Sequence, residues 1–383
     1  MSTNDKFRDW NRVLQPFVDE GYVSKTPHPT LPLSIYNYTP QCLFEKKWNT
    51  VTLMARGLVV DEHGQRVNAP MQKFFNFEET EGRAIAQRNV GNDYTIHEKV
   101  DGSAVFVTKW TPRRTLWDRL RRRHTESHVL IHTRGSFESP QACEARNWLR
   151  EHHGTEWIEA GYTYIFEWIA PDNRIVVNYD NRRELVLLWK QQIANPRNAV
   201  AAAPEWGGTV AWNYGRFSDA EWSYVGNLKS TIASGLEGFV IRWSSGDRIK
   251  IKSEEYLSLH RALTGLSTYT VWEQAQKSDE EWNTFLSTLD EEGRLWAESH
   301  RKSFEADVGM MHSIVDNWVE HFTLEGASMK EVALQLEEWL IPKYEQHAVF
   351  AALRGQSDKV TDIAWKRFKP QTKREKFSSG LSH

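Results

Sequence analysis

Cysteine is nearly absent: two residues in 383. That is too few for a disulfide-stapled fold, and Cys42 and Cys143 stand too far apart for a metal-ligand pair. They point to a reducing compartment, with the cytoplasm as the simplest location. No run of about 18 apolar residues occurs, so no membrane span is expected. The start, Met1-Ser2-Thr3-Asn4-Asp5-Lys6, is polar and lacks the apolar core of a secretory signal. Net charge is only -3, so no global field draws the molecule to nucleic acid. Any such binding must come from local basic patches. Internal repeats and low-complexity tracts are also missing. What remains is a globular composition, 40% hydrophobic and 26% charged, with 18 tryptophans. Most of these belong in cores; a minority could stack on bases. The length predicts two or three domains.

Residues 7–23 have helical spacing, and Pro27, Pro29 and Pro32 then impose a loop. Strands are expected at 33–38, 54–61, 93–97, 104–107, 129–132, 161–170, 184–190 and 235–243. A hairpin at Ser244-Ser245-Gly246-Asp247 returns into Arg248-Ile249-Lys250-Ile251-Lys252, with both lysines on one face. Residues 111–127 carry seven basic side chains, Arg113 to His124, and read either as a solvated face or as a phosphate-binding surface. Residues 195–215 read as loop. From about Tyr256 the pattern turns helical, over 257–266, 272–289, 291–321, 328–341 and 358–368. The domains expected are 1–255 and 256–383. The basic end, Lys366 to Lys376, reads as a mobile tail.

The chemistry gathers around Glu98-Lys99-Val100-Asp101-Gly102-Ser103. A lysine at a strand end, two residues before an Asp-Gly turn, is either part of a solvated hairpin or a nucleophilic amine. Arg56, Lys73, Arg134, Glu167, Glu237, Lys250 and Lys252 also stand at or beside expected strands. If those strands line one cleft, five cations converge on Lys99. Such cations would disfavour the protonated amine and would bind the phosphates of a nucleotide. A divalent ion would neutralise a pyrophosphate leaving group, held by carboxylates through water. This suits nucleotidyl transfer through a lysine phosphoramidate.

In these motifs the chain resembles the covalent nucleotidyltransferases, and among them the single-strand RNA ligases of the bacteriophage T4 RNA ligase 1 type. The resemblance rests on Lys99 to Ser103, Phe166-Glu167-Trp168, Ala170 to Val176, Glu237-Gly238-Phe239-Val240, and Lys250 to Tyr256 followed by Leu257-Ser258-Leu259-His260. Tyr36-Asn37-Tyr38, Arg56-Gly57 and Pro70 to Asn76 extend it upstream. It implies an α+β fold: an antiparallel-sheet nucleotidyltransferase domain, ATP-grasp-like in its ligase form, then an all-α C-terminal domain with no OB barrel.

The activity implied is ATP-dependent joining of 5′-phosphate and 3′-hydroxyl RNA ends, through a lysyl-AMP and an RNA-adenylate, in RNA or tRNA repair. The implied catalytic residues are Lys99, Lys250, Lys252, Glu237 and Glu167. Tyr36, Arg56, Lys73, Phe75, Gly102 and Arg134 join them in holding the nucleotide, Tyr36 near the β- and γ-phosphates and Gly102 by close backbone approach. Asp101, Glu167 and Glu237 would hold Mg2+ through water, with Mn2+ as the alternative. Single-stranded RNA ends are the implied partner, among them a nicked tRNA anticodon loop, alongside an end-healing kinase-phosphatase and no membrane.

Two departures stand out. Arg134 occupies a position where the family usually has lysine, and the basic stretch 111–127 is longer than the family turn. The rivals are a DNA ligase or GTP-using capping enzyme, against which the helical end speaks, and an inactive RNA-end-binding protein, against which the intact lysine and glutamate set speaks. The helical region could also be a protein-interaction module.

Overall fold

The computed structural model describes residues 9–113, 126–218, 222–289 and 291–370. Most of the basic stretch, from Arg114 to His124, and the tail beyond residue 370 lie outside these. The chain divides into two compact units, Met1–His260 and Arg261–His383.

The first unit is built on three sheets. One runs β1 (Val23–Pro27), β2 (Leu33–Tyr38), β3 (Arg56–Asp61), all antiparallel. Along the chain follow β4 (Phe75–Asn76), β5 (Tyr94–Lys99), β6 (Ser103–Trp110), β7 (His128–His132), β8 (Tyr162–Ile169) and β9 (Glu184–Gln192). Then come β10 (Ala199–Val200), β11 (Asn213–Phe217), β12 (Gly238–Trp243) and β13 (Arg248–Lys252). These make two five-stranded sheets, in the orders β10-β9-β8-β6-β7 and β11-β5-β12-β13-β4. Every pair is antiparallel except the short β13–β4 pair.

Of the two readings of Lys99, the hairpin does not hold. β5 and β6 are consecutive strands, yet they belong to different sheets. The turn from Val100 to Gly102 is the crossing between them.

Alternation explains how the sheets face one another. On β12 and β13, Phe239, Ile241, Ile249 and Ile251 join Tyr94 and Ile96 of β5 in a core with Ala86, Val225 and Leu228. Helix Thr80–Arg88 supplies Ala86, helix Trp222–Asn227 supplies Val225, and the 3-10 turn Leu228–Thr231 that follows supplies Leu228. The opposite face of the same sheet carries Lys99, His97, Arg242, Arg248, Lys250 and Lys252. In the other large sheet, Tyr164, Phe166 and Trp168 pack with Ala145 and Leu149 of helix Pro140–His152. Its remaining face presents Ile165 and Glu167 on β8. His97 meets Trp189 of β9 edge-on at 4.5 Å, so the polar face of one sheet looks onto this face of the other.

Local rules account for most departures from the expected elements. The helix expected over 7–23 is Trp10–Asp19, started by the Asp9 side chain accepting from Arg12 N at 3.2 Å. The strand expected at 54–61 starts at Arg56, because Asn49 and Thr52 form a capping box that makes Thr50–Met54 helical. The segment 195–215 contains β10 and the start of β11.

In the second unit every described element is a helix. The expected helix 272–289 is two, Thr268–Ala275 and Asp279–Ser287, divided where Ser278 and Glu281 make a capping box. Helices Glu291–Leu324, Met329–Glu338 and Ser357–Arg367 fall on expected segments. Helix Lys343–Leu353 does not. Its Val349 and Ala351 join Val315, Leu336 and Val360 in one core. Among the described residues no helix is long and apolar enough to cross a membrane, and both cysteines are free thiols.

Candidate active site

Strand register places the lysines. Gly238, at the start of β12, is opposite Lys99 on one side and Lys252 on the other. Glu237, just before Gly238, therefore sits between two lysine-bearing strand ends. Lys99 Nζ lies 2.6 Å from Glu237 Oε2, and Lys252 Nζ lies 3.8 Å from Oε1. The Glu237 side chain is 3% exposed and that of Lys99 20%, so Lys99 alone of this pair opens to solvent. Burial pushes the Glu237 carboxyl up, with Asp101 adding to the rise, while Lys99 and Lys252 hold it down. Gly238 is required by packing: a Cβ there would overlap the Ile251 carbonyl oxygen.

Glu167 reaches the same place from the other sheet. It is opposite Ala104 on β6 and Val186 on β9. Burial pushes its carboxyl up to about 8, Lys99 pulls the other way, and Glu237 and Asp101 add to the rise. Its proton is thus held more tightly in the folded chain than in the unfolded one. Between about pH 4.5 and 8 the unfolded state gives up that proton first, so this group makes the fold less stable as pH rises. We expect Glu167→Gln to gain thermal stability relative to wild type on going from pH 5 to 8. A difference in Tm that stays flat across this range would show that Glu167 ionises normally.

Asp101 is expected among the metal carboxylates, and the structure gives it much other work. Its Oδ2 accepts from Val176 N and Val177 N, both at 2.8 Å, and Oδ1 accepts from the Tyr256 hydroxyl at 2.9 Å. The Asp101 backbone N–H donates to the Tyr179 hydroxyl at 2.9 Å. Asp101 is buried. It ties the turn after Lys99 to the segment Ala170–Tyr179. Asn173 adds to the tie through Ser103 Oγ at 3.1 Å and the Trp168 carbonyl at 2.8 Å. Gly102 permits a close backbone approach, but within the protein: a Cβ would overlap the Trp168 carbonyl oxygen.

The remaining cations gather around an aromatic row. Lys73 is buried, with Nζ 4.7 Å from the Phe75 ring centre and 5.8 Å from that of Trp48. Arg56 lies over Phe74 at 5.6 Å and donates to the Met71 carbonyl at 3.3 Å. Arg134 Nη1 is 3.4 Å from the Tyr38 hydroxyl, and Tyr38 meets Trp48 edge-on at 5.2 Å. Tyr36, expected beside the phosphates, is placed differently. It is fully buried, donates to Asn11 Oδ1 at 2.8 Å, and packs with Trp10 and Leu14. Tyr38, two residues on and also in the family motif, is the tyrosine that meets Arg134.

Lys250 is on the same face of β13 as Lys252, opposite Val240 of β12 and Asn76 of β4. The sequence reading missed roles for Tyr38, Trp48, Asn173, Tyr179 and Tyr256. All but Trp48 and Tyr179 lie inside quoted motifs, so position was legible where role was not.

The arrangement suits a divalent ion held indirectly. The Asp101 carboxylate raises the proton affinity of both Glu167 and Glu237, and Glu237 raises that of Glu167, a repulsion that a cation would relieve. Among the described residues no group of three or more His, Cys, Asp or Glu is placed to hold a metal ion.

A lysine at a strand end, backed by a buried glutamate and flanked by further lysines, is the equipment of an enzyme that handles phosphates. Residues 54–257, more than half of the chain, match the family model described as RNA ligase, of the T4 RNA ligase 1 type. The chain belongs to this family, and the enzyme is an RNA ligase. Among solved structures it is similar to an archaeal ATP-dependent RNA ligase at 15% identity, over 77% of this chain and 79% of that one, with a TM-score of 0.43. It is also similar to a putative ATP-dependent DNA ligase from Aquifex aeolicus at 13% identity, over 87% and 89%, with a TM-score of 0.45. A mutant of Naegleria gruberi RNA ligase with ATP and Mn is similar at 12% identity, over 47% and 55%, with a TM-score of 0.35.

Proposed function

We propose that this RNA ligase seals 5′-phosphate and 3′-hydroxyl RNA ends through an adenylate carried on Lys99. The observation that carries the reading is the pair Lys99–Glu237 at 2.6 Å, with Lys252 on the far side of the same glutamate. In the first step Lys99 Nζ attacks the α-phosphorus of ATP. A P–N bond forms, the bond to the β-phosphate oxygen breaks, and pyrophosphate leaves. Glu237 Oε2 is within reach of the proton that Nζ sheds. AMP then passes to the 5′-phosphate oxygen of an RNA end, and the P–N bond breaks. Attack by the 3′-hydroxyl on that end releases AMP and forms the phosphodiester.

Lys250 and Lys252 neutralise the α-phosphate as charge develops there. Arg56, Lys73 and Arg134 act on the triphosphate, and Phe75 supports Lys73. Glu167 and Glu237 would hold a Mg2+ or Mn2+ ion through its waters, or Glu167 would hold the ribose. When bound, that ion would offset the charge of the leaving pyrophosphate. The free thiols and the absence of a disulfide among the described residues favour a cytoplasmic setting.

The test is covalent labelling on a denaturing gel, with ATP labelled at the α-phosphate, Mg2+, and GTP as the control nucleotide. Label from ATP alone supports the reading. No label, in folded protein not already adenylylated, overturns it. Lys250→Ala and Lys252→Ala should each slow labelling by roughly a hundredfold or more. Rates within a few-fold of wild type would remove the lysine concerned from the transition state. The repair reading adds a nicked tRNA anticodon loop as substrate and a kinase-phosphatase that prepares its ends. Competition between cut tRNA and unstructured RNA of equal length in the sealing reaction tests it, and equal use of both would reject it.

A further inference from the structure

The cationic face of the β11-β5-β12-β13-β4 sheet does not end at the lysines. Alternation along β13 carries it from Lys252 through Lys250 to Arg248. Arg242 of β12 is directly opposite Arg248 in the antiparallel register. Like charges directly opposite one another on one face destabilise a sheet. Both guanidinium groups also lie over the same ring: Arg248 is 5.0 Å and Arg242 5.6 Å from the centre of Trp189.

Neither arginine has a carboxylate within ion-pair distance among the described residues. Arg242 donates to the Arg197 carbonyl at 2.8 Å, and Arg248 reaches Gln191 Oε1 at 3.5 Å. The acid that acts on Arg248, Asp247, is held by Arg88 at 2.9 and 3.0 Å and by Asn89 at 2.8 Å. Arg248 is buried, and burial pushes its guanidinium down to about 9 and that of Arg242 down as well. Keeping two cations out of water without an anion is costly.

Beside them opens a cavity of about 540 Å³, lined among others by Arg242, Arg197, Lys190, Tyr162, Gln192 and Ser244. The charge of Lys190 is answered by Glu205 and Glu159. That of Arg242, with Arg248 behind it, is not. This end lies four residue pairs along β5 and β12 from Lys99, since Arg242 is opposite Thr95 while Gly238 is opposite Lys99. At the backbone that is roughly 13 Å.

We propose that Arg242, supported by Arg248 and the Trp189 ring, forms a phosphate-binding subsite at this cavity, and that it takes a backbone phosphate of the RNA strand being sealed. Guanidinium groups stacked on an aromatic ring present their N–H edges fixed toward a phosphate, which an ammonium could not do as well. The subsite rests on the RNA ligase identity and is independent of whether Lys99 is the adenylylated residue.

The test is the salt dependence of binding to a 5′-phosphorylated single-stranded RNA, measured by fluorescence anisotropy without ATP. Loss of one phosphate contact should reduce the slope of log K against log salt by about 0.7. We expect that reduction in Arg242→Gln, a near-wild-type slope in Arg242→Lys, and no change in Arg83→Gln, which removes an exposed charge on helix Thr80–Arg88. Near-ultraviolet circular dichroism matching wild type establishes that Arg242→Gln is folded. If it is not, Arg242→Met, which keeps an apolar stem against the Trp189 ring and removes the charge, takes its place in the same comparison. An unchanged slope in folded Arg242→Gln overturns the proposal. Pyrophosphate binding, by calorimetry on the same variants, separates the source. Loss of pyrophosphate affinity with an intact RNA slope would assign the subsite to the nucleotide and overturn the RNA assignment. Labelling from ATP is scored in parallel, so failure of the Lys99 reading registers separately.

Discussion

We expect Lys99→Ala to abolish covalent labelling from ATP, down to the background of heat-denatured protein, and to leave the fold intact. Lys252, the other amine beside Glu237, is 3.8 Å from it and more deeply buried than Lys99, so it is not placed to replace the attacking group. Lys99→Arg fails too, because guanidinium stays protonated and is not a nucleophile at neutral pH. The loss is specific to making the adenylate. Sealing of an RNA end supplied already adenylylated should survive in Lys99→Ala, because that step uses the other cations. The check is a pair of assays on one preparation: label from ATP, and joining of pre-adenylylated RNA. Label persisting in the alanine variant would move the nucleophile elsewhere.

The second large effect concerns Asp101. Its carboxylate accepts from two backbone N–H groups and a tyrosine hydroxyl in a buried setting. Asp101→Ala leaves those donors without a partner, at about 1 kcal/mol or more each. For a unit of this size that lowers Tm by roughly 6–12 °C. Asp101→Asn is different. Its amide oxygen can take the two N–H groups, and its NH2 can donate to the Tyr256 oxygen, so the anchor persists without the charge. If Asp101 mainly positions the turn, the asparagine variant keeps most of the stability and labelling rate, while alanine loses both. If the carboxylate mainly serves a metal, both variants lose labelling and the divalent-ion requirement rises in both. Thermal melts and metal titrations of the two variants decide between these roles.

These two residues also show what the sequence could convey. Lys99 was legible because a lysine at a strand end before Asp-Gly is a local pattern, and the same holds for the alternating Lys250 and Lys252. Asp101 was legible as a site residue and not as an anchor, since its partners at 176, 177 and 256 are distant in sequence. Tyr36 and Tyr38 share one strand face by parity, and only the packing of Trp10 and Leu14 decides which is sunk in the core. The larger strands were legible from apolar runs and alternation. The short helices Thr50–Met54 and Trp222–Asn227 were not, being too brief for periodicity to register. Arg242 and Arg248 drew no attention because an arginine in a hairpin strand is ordinarily solvated. Their register and shared ring appear only when the strands are paired.

The crossing at Val100–Gly102 has a consequence for synthesis. β5 carries Lys99, yet both of its neighbours, β11 and β12, come from residues 213–243. At ordinary translation rates the strand that carries Lys99 emerges roughly 7 to 28 seconds before the strand that follows Glu237. Until then both edges of β5 are open, and a chain stopped short of residue 213 keeps them so. The polar Thr95, His97 and Lys99 on one face of that waiting strand then discourage pairing with a second nascent chain. The face that carries Lys99 in the folded chain thus also tempers aggregation of the unfinished one.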